Sequence, residues 1–274
     1  MSDVDFIRRI QTVAAASGDP SQVASRLSSI VANYHFQKVT DYLVSVGGLA
    51  VRTGPFAGTK FVEASRSSRS SLFPPKLIGC YESELHPIMN QIVKTPYSRV
   101  VDVGCAEGYY VVGLARRMRD IHVFGFDIDE PVRESCRQMV DANGVAARVS
   151  LEGICTHGRL SELASLKTLI ICDIEGAEID LLDPVKVPRL AECDILVECH
   201  DCFTPTISFD LASRFKPTHH ISGVINRMVN PNKYPVLRRL KPIEKFFAVW
   251  EGRPGLTPWL MMRSKRRTEV GASS

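Results

Sequence analysis

The sequence predicts an α/β fold: a mostly parallel sheet with helices on both faces, preceded by a helical N-terminal extension. Two observations carry this. From residue 98 onward, strand-like runs at 98–103, 121–126, 147–152, 168–173 and 193–198 alternate with helical patterns, the rhythm of parallel βαβ units. The first run, Val100-Val-Asp-Val, also ends in an acid and a small-residue turn that passes straight into an amphipathic helix. Such a turn presents backbone N–H groups and a helix N-terminus to a nucleotide-like ligand. The 274 residues suffice for one domain of ordinary size plus an appendage. With 45% apolar and 23% charged residues the composition is that of a globular protein.

Taken in order, Asp19-Pro-Ser-Gln22 reads as a capped helix start with proline in the first turn. Val23, Leu27, Ile30, Val31, Tyr34 and Tyr42 recur at helical spacing until Gly47-Gly48 stops the helix. That stripe is long enough to suggest a lid or a homodimer contact. Residues 64–71 read as a polar loop, and a second helix spans about 78–94, which Pro87 must kink or restart. This assigns 1–80 to an extension and 81–263 to the main domain.

The helix at 107–118 follows the first turn, where Tyr109 stands at the third-glycine position of a dinucleotide-binding G-x-G-x-x-G. An NAD-dependent oxidoreductase is therefore disfavoured. The second strand ends at Asp127, 23 residues beyond Gly104, the separation at which an acid meets a ribose. A carboxylate there can accept from both ribose hydroxyls, while Asp129 caps the helix starting near Pro131. The fourth strand leads into an acidic turn and a short helix at 177–182, and the fifth into Glu198, Cys199, His200 and Asp201. Residues 203–243 hold five prolines and His219-His220, and read as a helix followed by a variable cover over the substrate end. Lys245–Trp250 and Trp259–Met262 read as two strands joined by a Gly/Pro loop, and 264–274 as a disordered basic tail.

The D-x-G-x-x-x-G spacing of Asp102, Gly104 and Gly108 resembles motif I of class I S-adenosylmethionine (SAM) methyltransferases. Asp173-Ile-Glu-Gly-Ala-Glu178 closely resembles the D-[IVL]-E-G-[AS]-E block of FkbM-like methyltransferases, and Asp194–Asp201 resembles that family's next strand. The resemblance covers about 98–201; Gly54-Pro-Phe-Ala-Gly58 and Lys76–Leu85 also look like segments preceding motif I in some bacterial members. One departure is Ala106, where the commoner pattern has a glycine. The resemblance implies a Rossmann-like methyltransferase sheet with an antiparallel C-terminal edge hairpin, SAM as cofactor, and a hydroxyl on a sugar or secondary metabolite as acceptor. It also implies that Asp102 helps hold the amino end of the cofactor's methionine. Open α/β sheets bind ligands beyond the C-terminal strand ends. The cofactor set is accordingly Asp102, Gly104, Cys105, Ala106, Glu107, Gly108, Asp127, Ile128, Gly153, Ile154 and Asp173.

For methyl transfer to a hydroxyl the protein must align the acceptor and manage its proton. Because a histidine ordinarily titrates near neutrality, His200 is the first candidate base; Glu175 holds the acceptor or caps the following helix, and Asp201 completes the catalytic set. Asp173, Glu198, His200 and Asp201 could instead bind a divalent cation such as Mg²⁺, a reading not favoured, since acids beside a cationic cofactor need no metal. A scaffold module that binds SAM without turnover, or N-methylation of a small molecule or peptide, are the alternatives. Cys199-His-Asp-Cys202 lacks the second ligand pair of a zinc site and the context of a redox motif. The net charge of +4 comes from local basic clusters without interleaved aromatics, which disfavours nucleic acid. No stretch of about 18 apolar residues marks a membrane span and no signal pattern opens the chain, so a cytoplasmic location is expected.

Overall fold

A computed structural model of the chain describes residues 2–16, 18–67 and 73–267. The elements in order are α1 (Asp3–Ala14), α2 (Pro20–Gly47), α3 (Glu63–Ser67), α4 (Phe73–Ile78), α5 (His86–Ile92), β1 (Arg99–Val103), α6 (Tyr109–Arg117), β2 (His122–Phe126) and α7 (Glu130–Ala142). There follow β3 (Val149–Glu152), α8 (His157–Leu163), β4 (Thr168–Cys172), α9 (Glu178–Leu181), β5 (Asp194–Glu198), α10 (Ile207–Phe215), β6 (His219–Val224), α11 (Pro242–Val249) and β7 (Trp259–Ser264). The sheet order is β3-β2-β1-β4-β5-β7-β6, with β1–β5 parallel and β7 antiparallel to both β5 and β6. This is the Rossmann-like methyltransferase sheet, with its reversed strand next to one edge.

Every residue of β4 and β5 is buried, as a parallel strand covered on both faces requires. Asp102 pairs in register with Ile171 of β4 and Gly125 of β2, so the acids after β1, β2, β4 and β5 emerge along one edge. The turn after β1 packs against the turn after β4. A Cβ on Gly104, whose φ is +86°, would stand 1.7 Å from the Asp173 carbonyl oxygen, which only glycine avoids.

The predicted caps hold. The Asp19 carboxylate accepts from the Ser21 amide and the Asp129 carboxylate from the Val132 amide. Pro87 stands in the first turn of α5, so the helix expected over 78–94 restarts there, after a tight turn at 83–85. The expected loop at 64–71 begins as α3; residues 68–71 lie outside the described residues.

Helix α1 was not foreseen: none of its residues is buried, and it rests on α2 through a Phe6–Tyr34 ring stack at 4.0 Å. Only Val39, Thr40 and Leu43 of α2 are buried. Val39 and Leu43 join Phe56, Phe61, Phe73, Leu77 and Ile78 in the core that also holds the apolar face of α6, so the end of α2, residues 51–61 and α4 share one core with the sheet.

Two expectations are overturned near the C-terminus. Lys245–Trp250, read as a strand, belongs largely to α11, with Pro242 in its first turn and the Glu244 carboxylate accepting from the Lys241 amide. A short apolar run does not distinguish strand from buried helix. The partner of β7 is instead β6, which begins at the His219-His220 pair. Those histidines therefore lie at the N-terminal end of a strand, away from the expected substrate side, and His219 is held by Thr218 and the Cys193 carbonyl. The tail expected from 264 is also shortened: Ser264 ends β7 and Arg267 pairs with Asp194 at 3.0 Å, while 268–274 lie outside the described residues. Among the described residues, no helix is long and apolar enough to cross a membrane.

Candidate active site

A cavity of about 440 Å³ opens beyond the C-terminal ends of β1, β2, β4 and β5, and Gly104, Ala106, Asp127, Asp173, Glu175 and His200 all face it. The structure thus gathers the principal sequence candidates.

On the β1–β2 side, the Asp127 carboxylate accepts from the Ala106 amide through Oδ2 and from the Asp129 amide through Oδ1, both at 2.9 Å. This ties the two turns together. Ala106 adopts a left-handed conformation (φ 46°), at a cost of about 1–2 kcal/mol for a residue with a Cβ, so the departure from glycine keeps the turn's shape. Asp102 is 2% exposed, and its Oδ2 is buried without a hydrogen-bond partner. Burial, and then the charge of Asp127, push it up to about 7.

Other expected cofactor residues stand apart. Cys105 is buried beside Gly125, and Glu107 is fully buried in an ion pair with Lys76, its Oε2 unpartnered. Ile128 and Ile154 are exposed outside the cavity wall, and Gly153 is not part of that wall. Gly108 opens α6 behind the turn.

On the β4–β5 side, His200 is buried, and its Nδ1 lies 2.7 Å from Glu178 Oε1. The same oxygen accepts from the Ile174 and Gly176 amides, so a fully buried carboxylate orients the ring. Phe203 stacks parallel to the imidazole. Nε2 faces Glu175 at 3.4 Å, Asp173 at 3.6 Å and Glu198 at 3.8 Å. Burial alone would depress His200; the hydrogen bond and charge of Glu178, then Glu198 and Glu175, outweigh it and hold the imidazole above its ordinary value. Burial likewise opposes ionisation of Glu178, but the His200 bond and those from its own and the Gly176 amide hold it below the usual range.

Glu175 holds the left-handed conformation (φ 54°) and projects outward. Asp201 is turned away: its carboxylate accepts from the Ser208 amide at 2.9 Å and the Ser208 hydroxyl at 2.5 Å. It anchors the approach to α10 and is not part of the cavity wall. Asp173, Glu175 and His200 bring one ligand atom each within 4.8 Å of one another and could hold a metal ion. All eight cysteines are free. Cys199 is buried, and burial pushes its thiol up, the reverse of what a reactive cysteine needs.

The cavity wall also holds residues that were missed, among them Lys76, Tyr81, Glu82 and Arg253. The first three lie in a segment whose likeness to known methyltransferases was noted without roles. Arg253, on the Gly/Pro loop before β7, carries no sequence signal. Its guanidinium donates to Glu198, to Glu251 at 3.1 Å, and to Glu84 and Glu82 at 3.3 and 3.4 Å. The buried Glu82, which also accepts from the Tyr110 hydroxyl, is pushed up to about 8 by burial and by Glu198.

No family model and no curated protein matches this chain. Among solved structures it is similar to the O-methyltransferase TomG from Streptomyces achromogenes, involved in tomaymycin synthesis and solved with SAM. Identity is 10% over 96% of this chain and 99% of that one, with a TM-score of 0.46. It is also similar to a SAM-dependent methyltransferase from Geobacter sulfurreducens solved with S-adenosyl-L-homocysteine, at 16% identity over 66% of this chain and 89% of that one, TM-score 0.44. The strand order of its own sheet places this chain in the class I SAM-methyltransferase fold.

Proposed function

We propose that the protein is a SAM-dependent methyltransferase that methylates a hydroxyl of a small molecule. The observation that carries this is the cavity that joins the Asp127 turn to the Glu178–His200 pair. The residues fit the cofactor. The buried, unpartnered Asp102 oxygen suits a cationic amino group, and each Asp127 oxygen keeps a lone pair for a ribose hydroxyl. When bound, SAM supplies the electrophilic methyl group.

The chain's own residues do the rest. Glu178 holds the Nδ1–H of His200, which leaves Nε2 to accept the acceptor's hydroxyl proton. Glu175 positions the acceptor at the rim. A base works in its neutral form, and His200 is held above its ordinary value; turnover therefore rises with pH through a midpoint above about 6.5. The D-I-E-G-A-E block supports an FkbM-like place within the class, and the exposed α1–α2 arm supports a homodimer contact.

A second mechanism rests on one specific grouping. Asp173, Glu175 and His200 would hold a divalent cation, which would lower the pKa of the acceptor hydroxyl. Exhaustive chelation separates the two: survival of methyl transfer leaves His200 as base, and loss restored by Mg²⁺ or Mn²⁺ gives the cation its role. The cofactor itself is tested by calorimetry, in which S-adenosylhomocysteine should bind and NAD should give no heat. Absence of S-adenosylhomocysteine binding would remove the proposal.

A further inference from the structure

A second cavity, of about 470 Å³, lies next to the first and shares the wall formed by Glu251, Gly252 and Arg253. Its volume is that of a small-molecule site, which commonly spans about 300–1,000 Å³. It lies between the segment after β6 and the loop before β7. Met228, Val229, Phe246, Val249, Trp250 and Leu256 supply its apolar lining. Several of these are large side chains left in the open: Met228 is 91% exposed, Leu256 55% and Trp250 38%. Isolated exposed apolar residues are ordinary, but a concave cluster of them marks a binding site.

The shared wall is fixed in place. Arg253 reaches through it to Glu82, Glu84, Glu198 and Thr257 and bonds Glu251 beside it. Glu198 in turn stands 3.8 Å from His200 Nε2. One residue layer therefore separates the apolar cavity from the proposed base. Most of the polar groups bordering the cavity are committed: Arg253 as above, Asn226 to Thr257 at 2.9 Å, and Glu251 to the Glu82 amide and Arg253; the exposed Arg227 is the exception. Few are left for a ring of hydroxyls, and hydroxyls buried without partners are costly.

From this we infer that the second cavity seats the apolar body of the acceptor, an aromatic or alicyclic ring system whose hydroxyl reaches over the 251–253 wall to His200, and not a bare sugar. The inference rests on the methyltransferase reading and names its acceptor class.

The test uses the full chain and the uncharged fluorophore N-phenyl-1-naphthylamine. Saturable binding to a single site is expected, unchanged when S-adenosylhomocysteine is bound. The double variant Met228→Asp/Leu256→Asp should weaken it at least tenfold while S-adenosylhomocysteine affinity stays within twofold. Should the double variant not fold, Met228→Asp alone must weaken the probe at least threefold. A neighbouring groove between α2 and α11 also contains Phe246 and Trp250 but is lined by Val31, so Val31→Asp should leave probe binding unchanged. The inference is overturned if the probe does not bind, is displaced by S-adenosylhomocysteine, or responds to Val31→Asp and not to the cavity variants. Probe binding that behaves as expected in a protein that binds no S-adenosylhomocysteine would instead overturn the methyltransferase reading beneath it.

Discussion

Replacing Asp127 with alanine removes two kinds of interaction that can be measured apart. Its carboxylate accepts from the Ala106 and Asp129 amides at 2.9 Å each. An ionised carboxylate has about four lone-pair sites, so roughly two remain for ribose hydroxyls. Hydrogen bonds to a charged group contribute about 1.5–3 kcal/mol. Loss of the ribose contacts should then cost about 1.5–3 kcal/mol of binding, roughly 10- to 150-fold in Kd. Asp129 is exposed and Ala106 half-buried, so water can reach the freed amides, and the loss of stability should be smaller, about 1–2 kcal/mol. Asp127→Asn keeps one acceptor oxygen but turns an amide group toward an N–H, and should fall between alanine and the native residue. Calorimetry with S-adenosylhomocysteine gives the affinity, and urea midpoints give the stability. A folded Asp127→Ala protein whose Kd stays within twofold of the native value would refute the ribose assignment.

Three further outcomes are expected. Glu82, pushed up to about 8 from an ordinary value near 4.5, keeps a proton in the folded state that the unfolded chain gives up. Its contribution is present below about 4.5 and is lost as pH rises through about 8; Glu82→Gln should flatten the fall in stability across that window, and parallel urea-midpoint curves would count against it. Lys76→Met leaves the buried Glu107 charge without its partner and should cost about 3–5 kcal/mol, a loss that Lys76→Met/Glu107→Gln should largely reverse in denaturant titrations. A Cβ on Gly113 would stand 2.5 Å from the Phe56 ring, so Gly113→Ala should lower stability by about 1–3 kcal/mol through overpacking; an unchanged melting temperature would mean that residues 49–61 are not seated on α6 as described.

Much of the fold was legible because its signals are local. The alternation of strands and helices, the small-residue turn at Gly104–Gly108, and the Asp19 and Asp129 caps depend on residues a few positions apart. Parallel crossovers then place the acids after β1, β2, β4 and β5 along one edge. Asp127, Asp173, Glu175 and His200 met in one cavity for that reason. The 245–250 run misled because Phe-Phe-Ala-Val-Trp fits either a buried strand or a helix packed on α2, and only the β6–β7 pairing settles which segment joins the sheet.

By itself, then, the sequence determined the sheet, its acid-bearing turns and the position of His200, the candidate base, since backbone periodicity and turn chemistry are short-range. Tertiary structure alone decided which side chains line the cavity. Asp201 was withdrawn to Ser208 and Cys105 into the core beside Gly125 of β2, because the paths of α10 and β2 brought those partners to them. Lys76 was brought to the buried Glu107, and Arg253 to a cluster that includes Glu82, 171 residues away, since acids buried beside one another, here Glu84, Glu198 and Glu251, require a counter-charge wherever the chain can deliver one.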